Sequence, residues 1–162
     1  MKKYILKTHS KKFLADTLTP VSVYLRIRDK FHNSLLLESS DYNSNNNSFS
    51  YICFNQIAKF EIFNNEIIKQ FPDNIEVRNP CVKDNILDEL ETFINSFKIK
   101  KDNLPFINNG LFGFTAYDAV QYFEDIKITK KNNSISIPEM YYGIYKNAVS
   151  YTHLTLPTIF RV

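Results

Sequence analysis

Short hydrophobic runs, each bounded by polar residues, dominate the pattern along this 162-residue chain. Most of the runs are rich in β-branched or aromatic residues, which favours strands over helices. The predicted strands cover residues 4–7, 34–39, 49–54, 58–63, 66–69, 110–114 and 140–145. Asn64 and Asn65 separate two of these runs and predict a tight hairpin turn. Residues 41–48 and 127–134 are predicted loops, and 71–82 is predicted to be irregular.

Three segments are predicted to be helical. Thr19 followed by Pro20 predicts a helix start, because threonine caps helices well and proline suits the first helical position. The strongest helical periodicity covers residues 85–98, and Asp84 is the predicted cap of this helix. Its predicted apolar face is made of Ile86, Leu90, Phe93, Ile94 and Phe97. Residues 116–123 predict a short third helix. Strands with helices interspersed, and no βαβ rhythm, predict an α+β fold with an antiparallel sheet and packed helices.

Composition narrows the class of protein. Hydrophobic residues make up 44% of the chain, which is typical of a globular domain with a real core. The net charge of +3 is mild, and the lysines do not form one stripe, which argues against a nucleic-acid-binding surface. No apolar run approaches the roughly 20 residues needed to span a bilayer. Cys53 and Cys81 form no CxxC pair, and Cys53 is expected to be buried as a small apolar residue. We expect a cytoplasmic location.

The residues by themselves offer no catalytic constellation: there is no HxxxH, P-loop, GxSxG or dinucleotide-binding fingerprint. We therefore predict no catalytic and no metal-binding residue in this chain. One segment suggests a ligand contact, because a leucine-rich run at 35–37 is followed by Glu38 and Ser39. A carboxylate and a hydroxyl at a strand end suit the polar end of an amino-acid ligand. The alternative is a strand that simply runs out into a polar turn.

The last residues differ in composition from the rest of the chain. Residues 149–158 resemble the translation of a transposase-type sequencing-adapter end, and they replace the Asn, Ile, Lys and Phe of the preceding chain with Thr, Leu and Pro. We therefore expect a domain at 1–147 and a non-native tail at 148–162.

Three segments, in order, resemble anthranilate synthase component I of the chorismate-utilising enzymes. They are residues 17–26 with 34–39, the Gly-rich block 110–120 with Glu124, and the Ile137-Pro138-Glu139-Met140 segment. The resemblance identifies 1–147 with the N-terminal subdomain of that fold. It also implies that Leu37, Glu38 and Ser39 form part of a tryptophan inhibitor site, with Ser39 the firmest assignment and the opposite wall in another domain of the same chain.

The resemblance further implies what the complete protein does. In this family a chorismate-binding domain, which binds Mg²⁺, combines chorismate with ammonia to give anthranilate and pyruvate in tryptophan biosynthesis. The ammonia comes from a glutamine amidotransferase subunit, component II. The segment alone is then expected to be inactive and to bind no cofactor. Two alternatives stay open: a piece of aminodeoxychorismate synthase component I, and a stand-alone regulatory domain that binds a ligand or a partner without catalysis.

Overall fold

A computed structural model describes residues 2–15, 17–38, 49–99, 109–126, 128 and 136–152. The predicted loop at 41–48, most of the predicted loop at 127–134, and Ser39 lie outside these residues. The strands are β1 (Tyr4–Leu6), β2 (Leu35–Glu38), β3 (Phe49–Phe63), β4 (Glu66–Gln70), β5 (Glu76–Pro80), β6 (Phe97–Ile99), β7 (Phe112–Thr115) and β8 (Met140–Thr152). The helices are α1 (Pro20–Arg28) and α2 (Ile86–Asn95), with 3₁₀ turns at Lys83–Asn85 and Tyr117–Tyr122.

The main sheet is antiparallel and has the order β5-β4-β3-β8-β7. Its sixth strand, β2, pairs antiparallel with β3. β1 and β6 form a separate parallel pair. The predicted α+β class is therefore confirmed. The predicted turn at Asn64–Asn65 is confirmed as well: both residues have positive φ, 50° and 63°, as the two central positions of a type I′ hairpin turn require.

The larger core lies between α2 and the sheet. Its centre is formed by fully buried residues: Phe60 and Ile62 of β3, Ile67 of β4, and Ile86 and Phe93 of α2. Phe93 contacts three other aromatic rings, at centroid distances of 5.2 to 5.9 Å. The amphipathic helix predicted from the 3.6-residue period thus covers the sheet as its apolar face requires.

β3 corrects the prediction of two strands at 49–54 and 58–63. It runs unbroken for 15 residues, and β8 pairs with it on both sides of the predicted gap. Asn55 takes a φ of 62°, and the register shifts between Gln56 and Ala58, so the interruption is a β-bulge within one strand. A bulge absorbs an extra residue while the flanking ladder continues.

β5 corrects the prediction that 71–82 is irregular. We did not predict this strand because it contains charged residues and Pro80. β5 lies at the sheet edge, where exposed polar side chains and a terminal proline are tolerated.

The predicted helix at 85–98 is also too long. α2 ends at Asn95, and Phe97 then enters β6, because its ring packs on Tyr4 and Phe71. Asn85 occupies the cap position that we assigned to Asp84. Ile94, which we predicted in the apolar face, is 46% exposed. The third helix is confirmed as a 3₁₀ turn.

β8 extends well beyond the predicted 140–145 and pairs with β3 as far as Thr152. The first residues of the predicted tail, 148–152, are therefore part of the sheet. The origin of residues 148–162 stays a prediction, because strand pairing depends on local geometry and not on where a segment comes from.

Candidate functional site

The candidate ligand contact lies at the end of β2. This strand pairs antiparallel with the first half of β3, and its register places Leu37 opposite Tyr51 and Glu38 opposite Ser50. Leu37 is partly buried, whereas Glu38 is exposed at the strand terminus. The predicted strand is thus confirmed for Leu35–Glu38, and the carboxylate of Glu38 is accessible to a cationic group. Ser39 lies outside the described residues, so its ligand role stays a prediction, as do those of Leu37 and Glu38.

One face of β2 packs against a small hydrophobic cluster. Its buried members are Cys53 of β3, Phe112 of β7 and Tyr145 of β8, and Leu35 and Leu37 pack against them. The leucine-rich run therefore anchors β2 through alternate side chains, as a strand with one buried face should. The leucines explain where the strand lies, and Glu38, which follows them, is exposed at the surface.

The helix before β2 is fixed independently. The Thr19 hydroxyl accepts a hydrogen bond from the Ser22 backbone N–H at 3.1 Å, and the Ser22 hydroxyl accepts one from the Thr19 backbone N–H, also at 3.1 Å. This capping box, with Pro20 at the first position, confirms the predicted helix start. α1 contacts both β2 and β3, and the Tyr24 hydroxyl donates to the Ser34 carbonyl at 3.5 Å.

A polar network that we did not predict lies at the other end of β2. The Asn33 amide donates to Gln56 Oε1 at 3.2 Å, and the Tyr141 hydroxyl lies 2.8 Å from Gln56 Nε2. Gly143 leaves room for this amide, since a Cβ there would lie 2.6 Å from Gln56 Nε2. The polar Asn55-Gln56 pair inside an apolar run is a local signal from which the bulge could have been predicted. The contact with Tyr141 has no such signal, because Tyr141 is 85 residues away from Gln56 in sequence.

An open cleft of about 320 Å³ adjoins this network, in the gap between the start of β2 and the end of β4. It is lined mainly by polar side chains: Lys30, Phe31, His32, Asn33, Asn55, Gln56 and Gln70. Lys30 and His32 are exposed. The cleft is therefore polar and open to solvent, and it lies at the opposite end of β2 from Glu38.

Burial keeps the titratable groups below β2 in their neutral forms. It raises the pKa of the Cys53 thiol to about 12 and also raises the pKa values of the Tyr141 and Tyr145 hydroxyls. Cys53 is completely buried and not disulfide-bonded, as predicted for a small core residue. A protonated thiol without solvent access is a poor nucleophile, so this cluster is structural.

The described residues also show no metal centre. No three His, Cys, Asp or Glu side chains within them lie close enough together to hold an ion. Nor is any helix in this part of the chain long and apolar enough to cross a membrane.

The relatives found by sequence comparison share one name. Anthranilate synthase component 1 of Lactococcus lactis subsp. lactis is 32% identical over 152 residues, which cover 93% of this chain and 31% of that protein. The chain is thus similar to part of anthranilate synthase component 1. Component 1 of Thermus thermophilus is 24% identical over 160 residues, covering 94% of this chain and 32% of its own length. No family model matches the chain.

The chain spans about a third of the length of these component 1 relatives. Among solved structures, the crystal structure of anthranilate synthase component I from Streptococcus pneumoniae is similar with a TM-score of 0.48 and 23% identity. That similarity covers 90% of this chain and 30% of the other.

Proposed function

We propose that this chain is the N-terminal regulatory part of the large subunit of anthranilate synthase. The observation that carries the proposal is the 32% identity to the Lactococcus lactis component 1 over 93% of the chain. The complete protein would convert chorismate and ammonia to anthranilate and pyruvate. A component II glutamine amidotransferase would supply the ammonia in the cytoplasm, and Mg²⁺ would be held by residues outside this chain.

The specific contribution of this chain would be one wall of a tryptophan inhibitor site, made by Leu37, Glu38 and Ser39. Leu37 packs on the cluster of Cys53, Phe112 and Tyr145, and Glu38 is exposed at the end of β2. A carboxylate in that position can pair with the ammonium group of an amino acid, and a neighbouring hydroxyl can donate or accept a hydrogen bond. Inhibition then couples this site to catalysis elsewhere in the protein.

The test is a Ser39→Phe substitution in the complete protein, followed by titration of anthranilate formation with tryptophan. A bulky ring at that position should fill the ligand's space while leaving the catalytic domain untouched. We expect the tryptophan concentration for half-inhibition to rise at least tenfold, about 1.4 kcal/mol of binding free energy. Uninhibited turnover should stay close to that of the unmodified enzyme.

Ser10→Phe is the matched control, because Ser10 is exposed and lies outside every helix and strand. It should leave the titration unchanged. The 162-residue chain, assayed alone with chorismate and ammonia, should form no anthranilate. An unchanged half-inhibition concentration in Ser39→Phe would remove this residue from the tryptophan site, and turnover by the chain alone would contradict the assignment of catalysis to another domain.

A further inference from the structure

β2 is a short strand with a single pairing partner among the described residues. It lies along β3 opposite residues 50–53, while β4 occupies the same edge of β3 opposite residues 59–63. Residues 54–58 of β3 lie between these two pairings, and on the other edge of β3 the ladder with β8 shifts register between Gln56 and Ala58. β2 therefore has four residues of ladder to define its position, and within the described ranges no strand pairs with this edge of β3 between β2 and β4.

The register of β2 decides whether the candidate site exists at all. Side chains alternate between the two faces of a strand, so a slip of one residue moves every side chain to the opposite face. Glu38 would then take the place of Leu37 above Cys53, Phe112 and Tyr145, where a carboxylate would meet an apolar cluster. Three consecutive leucines at 35–37 distinguish these registers only weakly, because each can fill the same apolar position.

The polar network at the start of β2 can distinguish these registers, because it fixes the position of the residue from which the strand begins. Asn33 lies two residues before β2, takes a φ of 58°, and donates to Gln56 at 3.2 Å. Gln56 is itself fixed: the Tyr141 hydroxyl lies 2.8 and 3.0 Å from its two amide atoms, and the amide occupies the space that a Cβ on Gly143 would need. A residue held by β8 thus holds the first turn before β2.

We propose that Asn33 and Gln56 are positioning residues that set the register of β2, and thereby place Glu38 at the surface. The bulge on β3 has a function in this account, because it turns the Gln56 amide toward both Asn33 and Tyr141. The ligand side of the inference rests on the proposed function, whereas the register itself does not.

The test uses Asn33→Gly in the 162-residue chain, which removes the amide but keeps a residue that accepts positive φ. The matched control is Asn74→Gly, since Asn74 also has positive φ, 62°, in the turn between β4 and β5. Loss of one hydrogen bond should accelerate amide hydrogen exchange at Leu35–Glu38 by about fivefold relative to the rest of the sheet. Cross-strand NMR contacts between Leu37 and Tyr51 should weaken in the same variant.

Asn74→Gly should change neither readout, and Gln56→Leu should reproduce the effect of Asn33→Gly. Unchanged exchange and unchanged Leu37–Tyr51 contacts in Asn33→Gly would overturn the inference. In the complete protein, Asn33→Gly should also weaken tryptophan inhibition several-fold without altering uninhibited turnover. Destabilised β2 with unaltered inhibition would confirm the positioning role and reject the tryptophan site, so the two proposals fail separately.

Discussion

At the scale of single residues, burial acts most clearly on a thiol group. Cys53 is fully buried against Tyr145 and Phe112, and burial alone raises its pKa from 9.0 to about 12. A thiol that stays protonated behaves as a small hydrophobic side chain. The cost of this arrangement appears only in alkali, where the unfolded chain can release a proton that the folded chain retains.

The free energy of unfolding should therefore fall as the pH rises above 9. The folded state binds the Cys53 proton more tightly, so its contribution is complete below pH 9 and declines between pH 9 and 12. We expect the thiol to account for about 1 kcal/mol of the loss by pH 10. Urea unfolding at a series of pH values, compared with the Cys53→Ala variant, measures this contribution.

Cys81→Ala is the control for the thiol measurement. Burial raises the pKa of Cys81 as well, so removing it should take away only the smaller pH dependence that Cys81 itself contributes and should leave that of Cys53 in place. Equal slopes for the unmodified chain and Cys53→Ala between pH 8 and 10 would contradict the assignment.

At the scale of secondary-structure elements, the helix α1 is set by its first turn. The Thr19–Ser22 capping box satisfies N–H groups that would otherwise lack partners at the helix start. Among its nine residues, only Pro20 is buried, and Val21 and Leu25 are partly exposed. A helix with little buried surface depends more than usual on its cap, and α1 leads directly into the turn that precedes β2.

Thr19→Ala should destabilise the chain by about 1 kcal/mol, since the hydroxyl is the acceptor for the Ser22 N–H. Thermal or urea unfolding measures the change. Thr17→Ala is the comparison, because Thr17 is exposed and lies outside the capping box. Combining Thr19→Ala with Ser22→Ala should cost less than the sum of the two single changes, because they remove the same box. Equal stability of Thr19→Ala and Thr17→Ala would show that the box does not hold α1.

At the scale of the whole molecule, one buried ion pair joins three elements. Lys69 of β4 donates to Glu89 of α2, and Asn79 of β5 donates to the other Glu89 oxygen at 2.7 Å. Burial acts to raise the pKa of Glu89, but the hydrogen bonds from Lys69 and Asn79 outweigh it and hold this pKa below its ordinary value. Lys69 is only 4% exposed, and Glu89 is the anion that its ammonium group contacts.

Glu89→Ala should therefore cost about 3 kcal/mol of unfolding free energy, because it leaves the Lys69 ammonium buried without an anion. Glu66→Ala is the matched change at the surface, where Glu66 pairs with the exposed Arg78, and it should cost less than about 1 kcal/mol. Denaturant unfolding of both variants tests the contrast. The double variant Lys69→Met with Glu89→Leu should recover most of the loss, and equal effects of Glu89→Ala and Glu66→Ala would refute the account.

The sequence by itself determined most of the local structure. The Thr19-Pro20 start of α1, the Asn64–Asn65 turn, the leucine strand that ends at Glu38 and the main apolar face of α2 all follow from interactions between near neighbours in the chain. Such interactions are encoded by residue type and spacing, so a single sequence displays them.

Only the tertiary structure decided where those elements meet. β8 turned two predicted strands into one by pairing across the bulge at Gln56, and contacts with Tyr4 and Phe71 drew Phe97 out of the predicted helix. The Lys69–Glu89 pair and the Asn33–Gln56–Tyr141 network likewise join residues far apart in sequence. Their energy depends on distances that the chain acquires only when it folds, and no local pattern of polar and apolar residues records those distances.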